Sequence, residues 1–499
     1  MQQLSSLDAE LVSVESATTT SHGGALLILD PSTALDGRVT LDRLRDVLEP
    51  RMSLAPLLRR RLVKAPLGLG RPHMVDDPDF DIEFHLRELA LPTPGDEQQL
   101  AEQVARIHAR PLDRSRPLWE LYLVHGLDGG RQAIYTKAHS AAIDDVFGAE
   151  VLSTLTDATV EPRMEQPGEV WQPAPVPGQL DLLARELASM ATQPMEVARS
   201  LPRALPHFAD LPGVASLPGA KTLAQVAASL VQSAVSRSEG VGMRSLVTPA
   251  TRLSRSITAH RRFAFGSLQL DRVQRIEDAY NVTVDDVALA LCTSALRRWL
   301  LDHDALPETP LVVAMPVIVS AGDDSGGVAE ATGSRLSIAL VELPTQLAHP
   351  EQRLVAVQAA RAEAMAEVTV QFEAVLPAPS QDVTAAVATR SVGLATRAAL
   401  SLAVPGGVAV NLVISHVSGP AKSMYVAGAT VLGLYPASAI TDVSGALSIT
   451  LFSGNGSVDV GLIACRELVP DLGNLVDHLG DALDEIEALI DQEPSPPSA

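Results

Sequence analysis

The stretch "TKAHSAAIDDVFGAEVL" covers residues 136–152 and lies between two different hydrophobic patterns. Before and into it, "LWELYLVHGL" and "RQAIYTKAH" alternate apolar and polar residues around a "DGG" turn, which predicts a β-hairpin. After it, "VFGAEVLSTL" has the spacing of a helix. The polar residues His139, Ser140, Asp144 and Asp145 therefore lie at a strand-to-helix junction, at the end of an interior strand. A turn with such side chains is a candidate active site.

The composition of the chain limits its class. Its 499 residues are too many for one ordinary hydrophobic core, so we expect two domains. Hydrophobic residues make up 46% and charged residues 20%, which is typical of a globular protein. The formal net charge of -22 argues against nucleic acid as the main partner, because phosphate binding needs a basic surface. It also argues against strong overall attraction to anionic lipid, although the net charge does not exclude local basic patches.

The two cysteines, Cys292 and Cys465, are far apart and each lies in an apolar run. Neither a disulfide framework nor a metal-binding spacing follows, so we expect buried free thiols, no metal site and a reducing compartment. The first twenty residues have no basic start and no long apolar core. We therefore expect no signal peptide and a cytoplasmic protein.

The pattern along the chain divides it into three blocks and a tail. Residues 1–160 mix short strands and helices, including the apolar run "GALLILD" (24–30), which predicts a buried strand. Residues 161–250 begin with the proline-rich "EQPGEVWQPAPVPGQ" and continue with two amphipathic stretches, which predict a long helical linker. Residues 251–490 are mixed again, and 491–499 form a disordered tail. The fold class is therefore α/β, with two mixed domains in tandem.

The sequence also predicts how the linker stretches pack and which elements make up the third block. The amphipathic stretches of the linker either pack on the domains, which we favour, or face a membrane or lipid droplet. In the third block, Thr283 and Asp286 form a predicted capping box before the helix "VDDVALALCTSALRRWLL", which follows the helix "LDRVQRIEDAY". The predicted strands of this block are "PLVVAMPVIV", "RLSIALVEL", "VAVNLVISHV", "GALSITLFS" and "GSVDVGLIAC".

Several blocks, in order along nearly the whole chain, resemble the bifunctional wax ester synthase/diacylglycerol acyltransferase family. They include "LRRRLVKAPLGLGRPHMVDDPDFDIEFHL", "RPLDRSRPLWELYLVHGLDGG", "DDVALALCTSALRRWL", "NLVISHVSGP" and "VLGLYPASAITDVSGALSITLFS". The resemblance implies two domains of the chloramphenicol-acetyltransferase type with an active-site tunnel between them. It also implies transfer of a fatty acyl group from acyl-CoA to diacylglycerol or a long-chain alcohol. Acyl-CoA is then a substrate, no cofactor is needed, and contact with the inner membrane or lipid droplets is an expectation.

The family signature is a pair of histidines, three further residues and then Asp-Gly. The resemblance implies that the second histidine is the general base and that the aspartate shapes the turn. In this chain the first histidine is His139 and the aspartate is Asp144, but the second histidine position holds Ser140 and the glycine position holds Asp145. A serine hydroxyl is a poor base near neutral pH. Loss of a positioned base typically lowers the rate on the order of 10²–10⁴-fold.

The remaining histidine could act as the base only with a change of direction. Neighbouring side chains on a strand point to opposite faces, so His139 would need a bulge or a shifted register to replace Ser140 in the tunnel. The alternative is a buried His139 that is bonded to the backbone. The acidic pair Asp144–Asp145 equally suits a helix N-terminus, where carboxylates are favoured. We keep this simpler role for Asp145 and the implied structural role for Asp144.

Other motif positions depart from the resemblance as well. The family's Asn-Asp pair at a helix start is Asp285–Asp286 here, its Gly-Asn pair is Gly333–Ser334, and its late Ser-Asn pair is Ser415–His416. In contrast, "RPLWE", "GLGRP", "LYPAS" and "RELVPD" match closely. His416 is therefore a candidate for a relocated base, with a simple polar exchange in a loop as the alternative.

Two functional hypotheses follow. The first is an acyl-CoA-dependent O-acyltransferase weakened by the loss of the second histidine, in which the tunnel still supplies proximity and orientation. The second is a catalytically inactive homologue that binds lipid or acyl-CoA, or that pairs with an active relative. A condensation domain shares the histidine signature, but the blocks "PLGLGRP", "RPLWE" and "RELVPDL" argue against it, and no carrier-protein serine motif is evident in the chain.

Overall fold

The structure is a computed structural model. It describes residues 1–4, 9, 12–13, 15–64, 71–142, 154–163, 171–178, 181–182, 248–320, 334–375, 410–442 and 444–492. Most of the helices predicted for the linker and most of the helix predicted after the opening turn lie outside these residues, and so do Asp144 and Asp145.

The described segments contain β-strands in both the first and the third block of the sequence. The strands are β1 Gln2–Gln3, β2 His22–Asp30, β3 Arg60–Val63, β4 His73–Asp76, β5 Leu86–Ala90, β6 Trp119–His125, β7 Gln132–His139, β8 Thr156–Asp157, β9 Arg261–Gln269, β10 Leu311–Ser320, β11 Ser334–Leu343, β12 Leu412–Ser418, β13 Tyr425–Val426, β14 Ala429–Ala437, β15 Leu447–Gly454 and β16 Ser457–Cys465. The strands predicted at "GALLILD" and in the third block are confirmed.

The α-helices follow the same order along the chain. They are α1 Leu41–Arg51, α2 Ile82–His85, α3 Glu97–His108, α4 Leu270–Tyr280, α5 Val284–Asp302, α6 Pro350–Val375 and α7 Gly473–Gln492. Thr283 caps α5 by accepting a hydrogen bond from the Asp286 N–H at 3.2 Å, while Asp286 accepts the Thr283 N–H at 2.9 Å. The predicted capping box is thus confirmed. Among the described helices, none is long and apolar enough to cross a membrane.

The first main sheet has seven strands in the order β5-β6-β7-β2-β14-β13-β8. Strands β6 and β7 pair antiparallel, which confirms the predicted hairpin. Strand β7 also pairs antiparallel with β2, and this register places His22 opposite His139. The candidate turn therefore begins in the middle of a sheet, as its apolar flanks predicted.

The second main sheet has six strands in the order β11-β10-β12-β15-β16-β9. One face is covered by α4, α5, α6 and α7, whose apolar side chains share a core with alternate residues of β12 and β15. Both cysteines are buried and free. The two large sheets, each packed against helices, confirm the predicted α/β fold class.

Strand β14 belongs to the third block of the sequence but pairs antiparallel with β2 in the first sheet. It also contacts the second sheet, where Asp459 accepts the Leu434 N–H at 2.7 Å and the Tyr435 hydroxyl lies 3.0 Å from Ser267 Oγ. The Pro436 carbonyl oxygen would lie 1.8 Å from a Cβ atom at Gly461, so this approach requires glycine. The division at residues 160 and 250 stays a prediction, and it did not foresee this crossover.

A buried ion pair fixes the far edge of the first sheet. The Arg51 guanidinium of α1 donates to both Asp157 carboxylate oxygens of β8, at 2.8 and 2.9 Å. It also donates to the carbonyl oxygens of Thr154 at 3.0 Å and Arg163 at 2.8 Å. The two charged side chains are only 1% and 4% exposed. Each charge is therefore compensated within the protein and not by water.

We expect Asp157→Ala to lower the free energy of unfolding by about 3–5 kcal/mol, because it leaves the Arg51 charge buried without its partner. Urea unfolding followed by circular dichroism measures the change. The control is Asp42→Ala, which removes a carboxylate that is 80% exposed and pairs with Arg45 on the surface. That change should cost about 1 kcal/mol or less. Equal losses in the two variants would contradict the expected role of the buried pair.

Candidate active site

His139 is the last residue of β7, and its ring is buried. The side chain is 3% exposed. Strand alternation places it on the same face as Tyr135 and Lys137, the face that contacts helix α3 through His108 and the Ile107 carbonyl. Ser140 follows as the first residue of a short 3-10 turn, Ser140–Ala142. The strand therefore ends between the two residues that the resemblance singled out.

Both ring nitrogens of His139 face groups of the protein. Nδ1 accepts the backbone N–H of Ala141 at 3.0 Å. Nε2 lies 3.3 Å from Glu15 Oε1, an ion-pair distance without the alignment of a hydrogen bond. Because Nδ1 is an acceptor here, a neutral ring carries its proton on Nε2, toward the carboxylate. In this arrangement no ring nitrogen presents a free lone pair to a substrate hydroxyl.

Glu15 is held at this position by three groups. Its carboxylate pairs with the Arg114 guanidinium, accepts the Ser21 N–H at 2.5 Å and faces His139. Burial alone would raise the pKa of Glu15, but the contacts with His139, Arg114 and Ser21 outweigh it and lower the pKa to about 2. Glu15 is therefore an anion at neutral pH, too weak a base to accept a proton from an alcohol.

Ser140 has a bonded hydroxyl group. Its Oγ donates to the Ser21 carbonyl oxygen at 3.0 Å, and its backbone N–H donates to the same oxygen at 3.1 Å. The residue is 1% exposed. The hydroxyl thus ties the turn to the residue before β2, and its chemistry remains that of an alcohol.

A row of buried polar side chains continues from His139 into the sheet. His22 bonds to the His108 carbonyl oxygen, the His108 Nδ1 lies 2.7 Å from the Tyr135 hydroxyl, and Lys137 donates to the Ile107 carbonyl oxygen at 2.9 Å. Burial, followed by the nearby Lys137 charge, lowers the pKa of His22 and of His108 well below the usual histidine value. Burial also lowers the pKa of Lys137 to about 8. The two histidines are therefore neutral in the folded protein.

The "RPLWE" block has a packing role on the other face of the sheet. The Trp119 indole N–H donates to the Leu58 carbonyl oxygen at 2.8 Å, and its ring stacks on His85 with centroids 4.4 Å apart. The Arg116 guanidinium lies 4.0 Å from the centre of the Phe84 ring. These contacts give the block a place in the packing of the first half of the chain.

His416 lies in strand β12, within the predicted strand "VAVNLVISHV", and not in the loop of the alternative interpretation. Its Nδ1 is 2.6 Å from Asp285 Oδ1, and its Nε2 is 2.9 Å from Ser453 Oγ. Arg361 of α6 donates to the second Asp285 oxygen at 2.6 Å. Asp285 and His416 are two of the positions that depart from the family, and the fold brings them into contact. Ser453 carried no signal in the sequence.

Comparison with known proteins identifies the family to which the chain belongs. The model of the wax ester synthase/diacylglycerol acyltransferase catalytic domain matches residues 4–288, and that of the family's C-terminal domain matches residues 332–487. The chain therefore belongs to the wax ester synthase/diacylglycerol acyltransferase family, a family of O-acyltransferases.

The relatives cover nearly the full length. A putative diacylglycerol O-acyltransferase of Mycobacterium tuberculosis is 32% identical over 498 residues, which is 99% of this chain and 92% of the relative. A second one from the same species is 33% identical over 488 residues, covering 98% of this chain and 100% of the relative. Both names place the relatives in the same enzyme class.

Solved structures agree with the fold. The wax ester synthase/diacylglycerol acyltransferase of Marinobacter aquaeolei VT8 superposes with a TM-score of 0.64 at 27% identity, covering 98% of this chain and 99% of that one. The starter condensation domain of rhizomide synthetase superposes with a TM-score of 0.50 at 13% identity, covering 99% and 96%. The second likeness shows that the fold is shared with condensation domains, and no more.

We expect the free energy of unfolding to fall as the pH drops below about 6.5, the ordinary histidine pKa. In the folded state the lowered pKa values keep His22 and His108 neutral, whereas the unfolded chain binds protons on both. Their contribution is complete above pH 6.5 and is lost toward the lower folded pKa. Each histidine adds a slope of up to about 1.4 kcal/mol per pH unit.

Urea unfolding at a series of pH values between 7.5 and 5 measures this slope. His108→Gln should reduce the slope by up to about 1.4 kcal/mol per pH unit, the contribution of one bound proton. Thr293→Val, another buried substitution, removes no titrating group and should shift the curve without changing its slope. An unchanged slope in His108→Gln would show that His108 binds its proton in the folded state.

Proposed function

We propose that the protein transfers a fatty acyl group from acyl-CoA to diacylglycerol or a long-chain alcohol, at a rate lowered by the absence of the second signature histidine. The observation that carries the proposal is the family match over nearly the whole chain combined with a serine, Ser140, at the position where the resemblance implies the base. The names of the mycobacterial relatives support diacylglycerol as an acceptor.

The proposed step forms one ester bond. The acceptor oxygen attacks the thioester carbonyl carbon, the C–S bond breaks, and the hydroxyl proton ends on the CoA thiol. The Ser140 hydroxyl is too weak a base to take that proton on the way. The two ring nitrogens of His139 already contact the Ala141 N–H and the Glu15 carboxylate. Binding both substrates in one tunnel still lowers the barrier, because it replaces a bimolecular encounter by a positioned reaction. We therefore expect slow turnover.

The test uses purified protein, labelled palmitoyl-CoA and either diacylglycerol or a long-chain alcohol. Wild type should form ester slowly, and Ser140→His should increase the rate on the order of 10²–10⁴-fold by restoring a positioned base. His139→Ala should retain the slow activity of the wild type if it still folds, which thermal unfolding checks. Loss of that activity in a folded His139→Ala variant would show that His139 is the base.

The matched control is Ser140→Gln, which adds a side chain of comparable size without a basic nitrogen. It should not increase the rate, because bulk alone supplies no proton acceptor. Equal gains in Ser140→His and Ser140→Gln would contradict the assigned cause. No ester from wild type above the rate without enzyme would overturn the proposal of a slow enzyme.

A second candidate function is a non-catalytic homologue that binds acyl-CoA or lipid. The engaged ring of His139 and the bonded hydroxyl of Ser140 favour it. It requires saturable binding of palmitoyl-CoA, measured by calorimetry, without ester formation by wild type. Ester formation by Ser140→His alone would then identify a scaffold that has lost only its base.

The proposed acceptors are lipids, so the protein should meet them at a membrane or lipid-droplet surface. With a net charge of -22, binding through anionic headgroups is disfavoured overall. Flotation with vesicles of phosphatidylcholine alone should therefore recover at least as much protein as vesicles that also contain phosphatidylserine. Binding that requires phosphatidylserine and disappears in salt would instead indicate a local basic patch.

A further inference from the structure

The second sheet holds a cluster of reactive side chains, whereas the signature turn follows a strand of the first sheet. Strand alternation puts His416 on the face of Leu412 and Ile414, and Ser453 on the face of Leu447, Ile449 and Leu451, which is the face covered by helices α4 to α7. Both residues lie near the carboxyl ends of two parallel strands, β12 and β15. Asp285 approaches them from the first turn of α5.

The hydrogen bonds of this cluster select one tautomer for a neutral His416 ring. A carboxylate can only accept, so the His416 Nδ1–H donates to Asp285 Oδ1, at 2.6 Å. Nε2 is then an acceptor in the neutral ring, and the Ser453 hydroxyl, 2.9 Å away, donates to it. This is the order hydroxyl, imidazole, carboxylate that activates a serine as a nucleophile.

The carboxylate of this cluster is fixed by its surroundings. Arg361 donates to Asp285 at 2.6 Å and to the neighbouring Asp286 at 3.2 Å. Burial would raise the pKa of Asp285, but the contacts with His416 and Arg361 outweigh it and lower the pKa. Asp285 therefore stays ionised and holds the imidazole in the tautomer that accepts from Ser453. Arg361 and Asp285 are positioning residues.

The cluster is reachable from outside. The His416 side chain is 12% exposed and that of Asp285 is 38% exposed, while Ser453 is half-buried. Asp285 and His416 also both replace asparagines that the resemblance implies at these positions, so the two exchanges together create the pair in contact.

We propose that Ser453, His416 and Asp285 form a second nucleophilic site that cleaves ester or thioester acyl groups. Ser453 Oγ bonds to the acyl carbon while His416 Nε2 takes its proton. The bond to the alkoxide or thiolate breaks, and that leaving group takes the proton from His416. Water then attacks the acyl-serine, gives a proton to His416 and releases the carboxylic acid, and the proton returns to Ser453.

The experiment treats the full-length protein with a fluorophosphonate, which phosphonylates activated serines, and locates the adduct by peptide mass spectrometry. Hydrolysis of p-nitrophenyl butyrate is followed in parallel. We expect the adduct on Ser453 and measurable hydrolysis. An unlabelled Ser453, or labelling at another serine only, would overturn the proposal, and this readout needs no variant that might fail to fold.

Variants then assign the roles. Ser453→Ala should abolish the adduct, and His416→Asn should slow labelling and hydrolysis on the order of 10²–10⁴-fold. Asp285→Asn should slow both and change their pH profile, since the carboxylate no longer sets the tautomer. Ser423→Ala, which removes an exposed serine bonded to Asn455, should leave both unchanged. If His416→Asn is labelled at the wild-type rate and with the wild-type pH profile, His416 does not activate Ser453 and the cluster is only structural.

The same proteins separate this proposal from the acyl transfer proposed above. Ser453→Ala should retain ester synthesis from palmitoyl-CoA, because that reaction belongs to the turn at Ser140. Ser140→His should in turn leave the labelling of Ser453 unchanged. Loss of both activities in folded Ser453→Ala would show one shared site and would overturn the assignment of two.

Discussion

Strand β14 is the element on which both halves of the molecule depend. It pairs with β2 in the first sheet, and its backbone and side chains bond to Asp459 and Ser267 of the second. Buried backbone groups need hydrogen-bond partners, so without β14 the strand β2 would be an unpaired edge inside the molecule. Strand β2 in turn holds His22 opposite His139. The candidate turn therefore takes its geometry from a strand contributed by the other half of the chain.

The two histidines His139 and His416 show how neighbours decide what an imidazole can do. At His139 the Ala141 N–H occupies Nδ1, and the remaining proton points at Glu15. At His416 the carboxylate occupies Nδ1, which leaves Nε2 as an acceptor beside a hydroxyl. The first arrangement joins segments of the fold, and the second suits proton transfer. The same side chain thus bonds within a turn in one sheet and belongs to the proposed nucleophilic site in the other.

The sequence predicted the elements well because alternation and capping are local. The hairpin of β6 and β7, the strands of the third block and the Thr283 cap all follow from residues close together in the chain. The signature turn was likewise found by its flanks. The partners were not predictable in this way: nothing near Glu15 indicates that it faces His139, and nothing near Ser453 indicates that it meets His416. Those contacts depend on how distant strands pair, which periodicity does not encode.

The crossover of β14 also governs how the chain can be made. The first sheet consists of strands from residues 22–139 together with β8, β13 and β14, so it stays incomplete until residue 437 has left the ribosome. During that time β2 offers an open edge to any other strand, which is the usual route to aggregation. The first sheet can therefore be completed only after most of the second half of the chain has been synthesised.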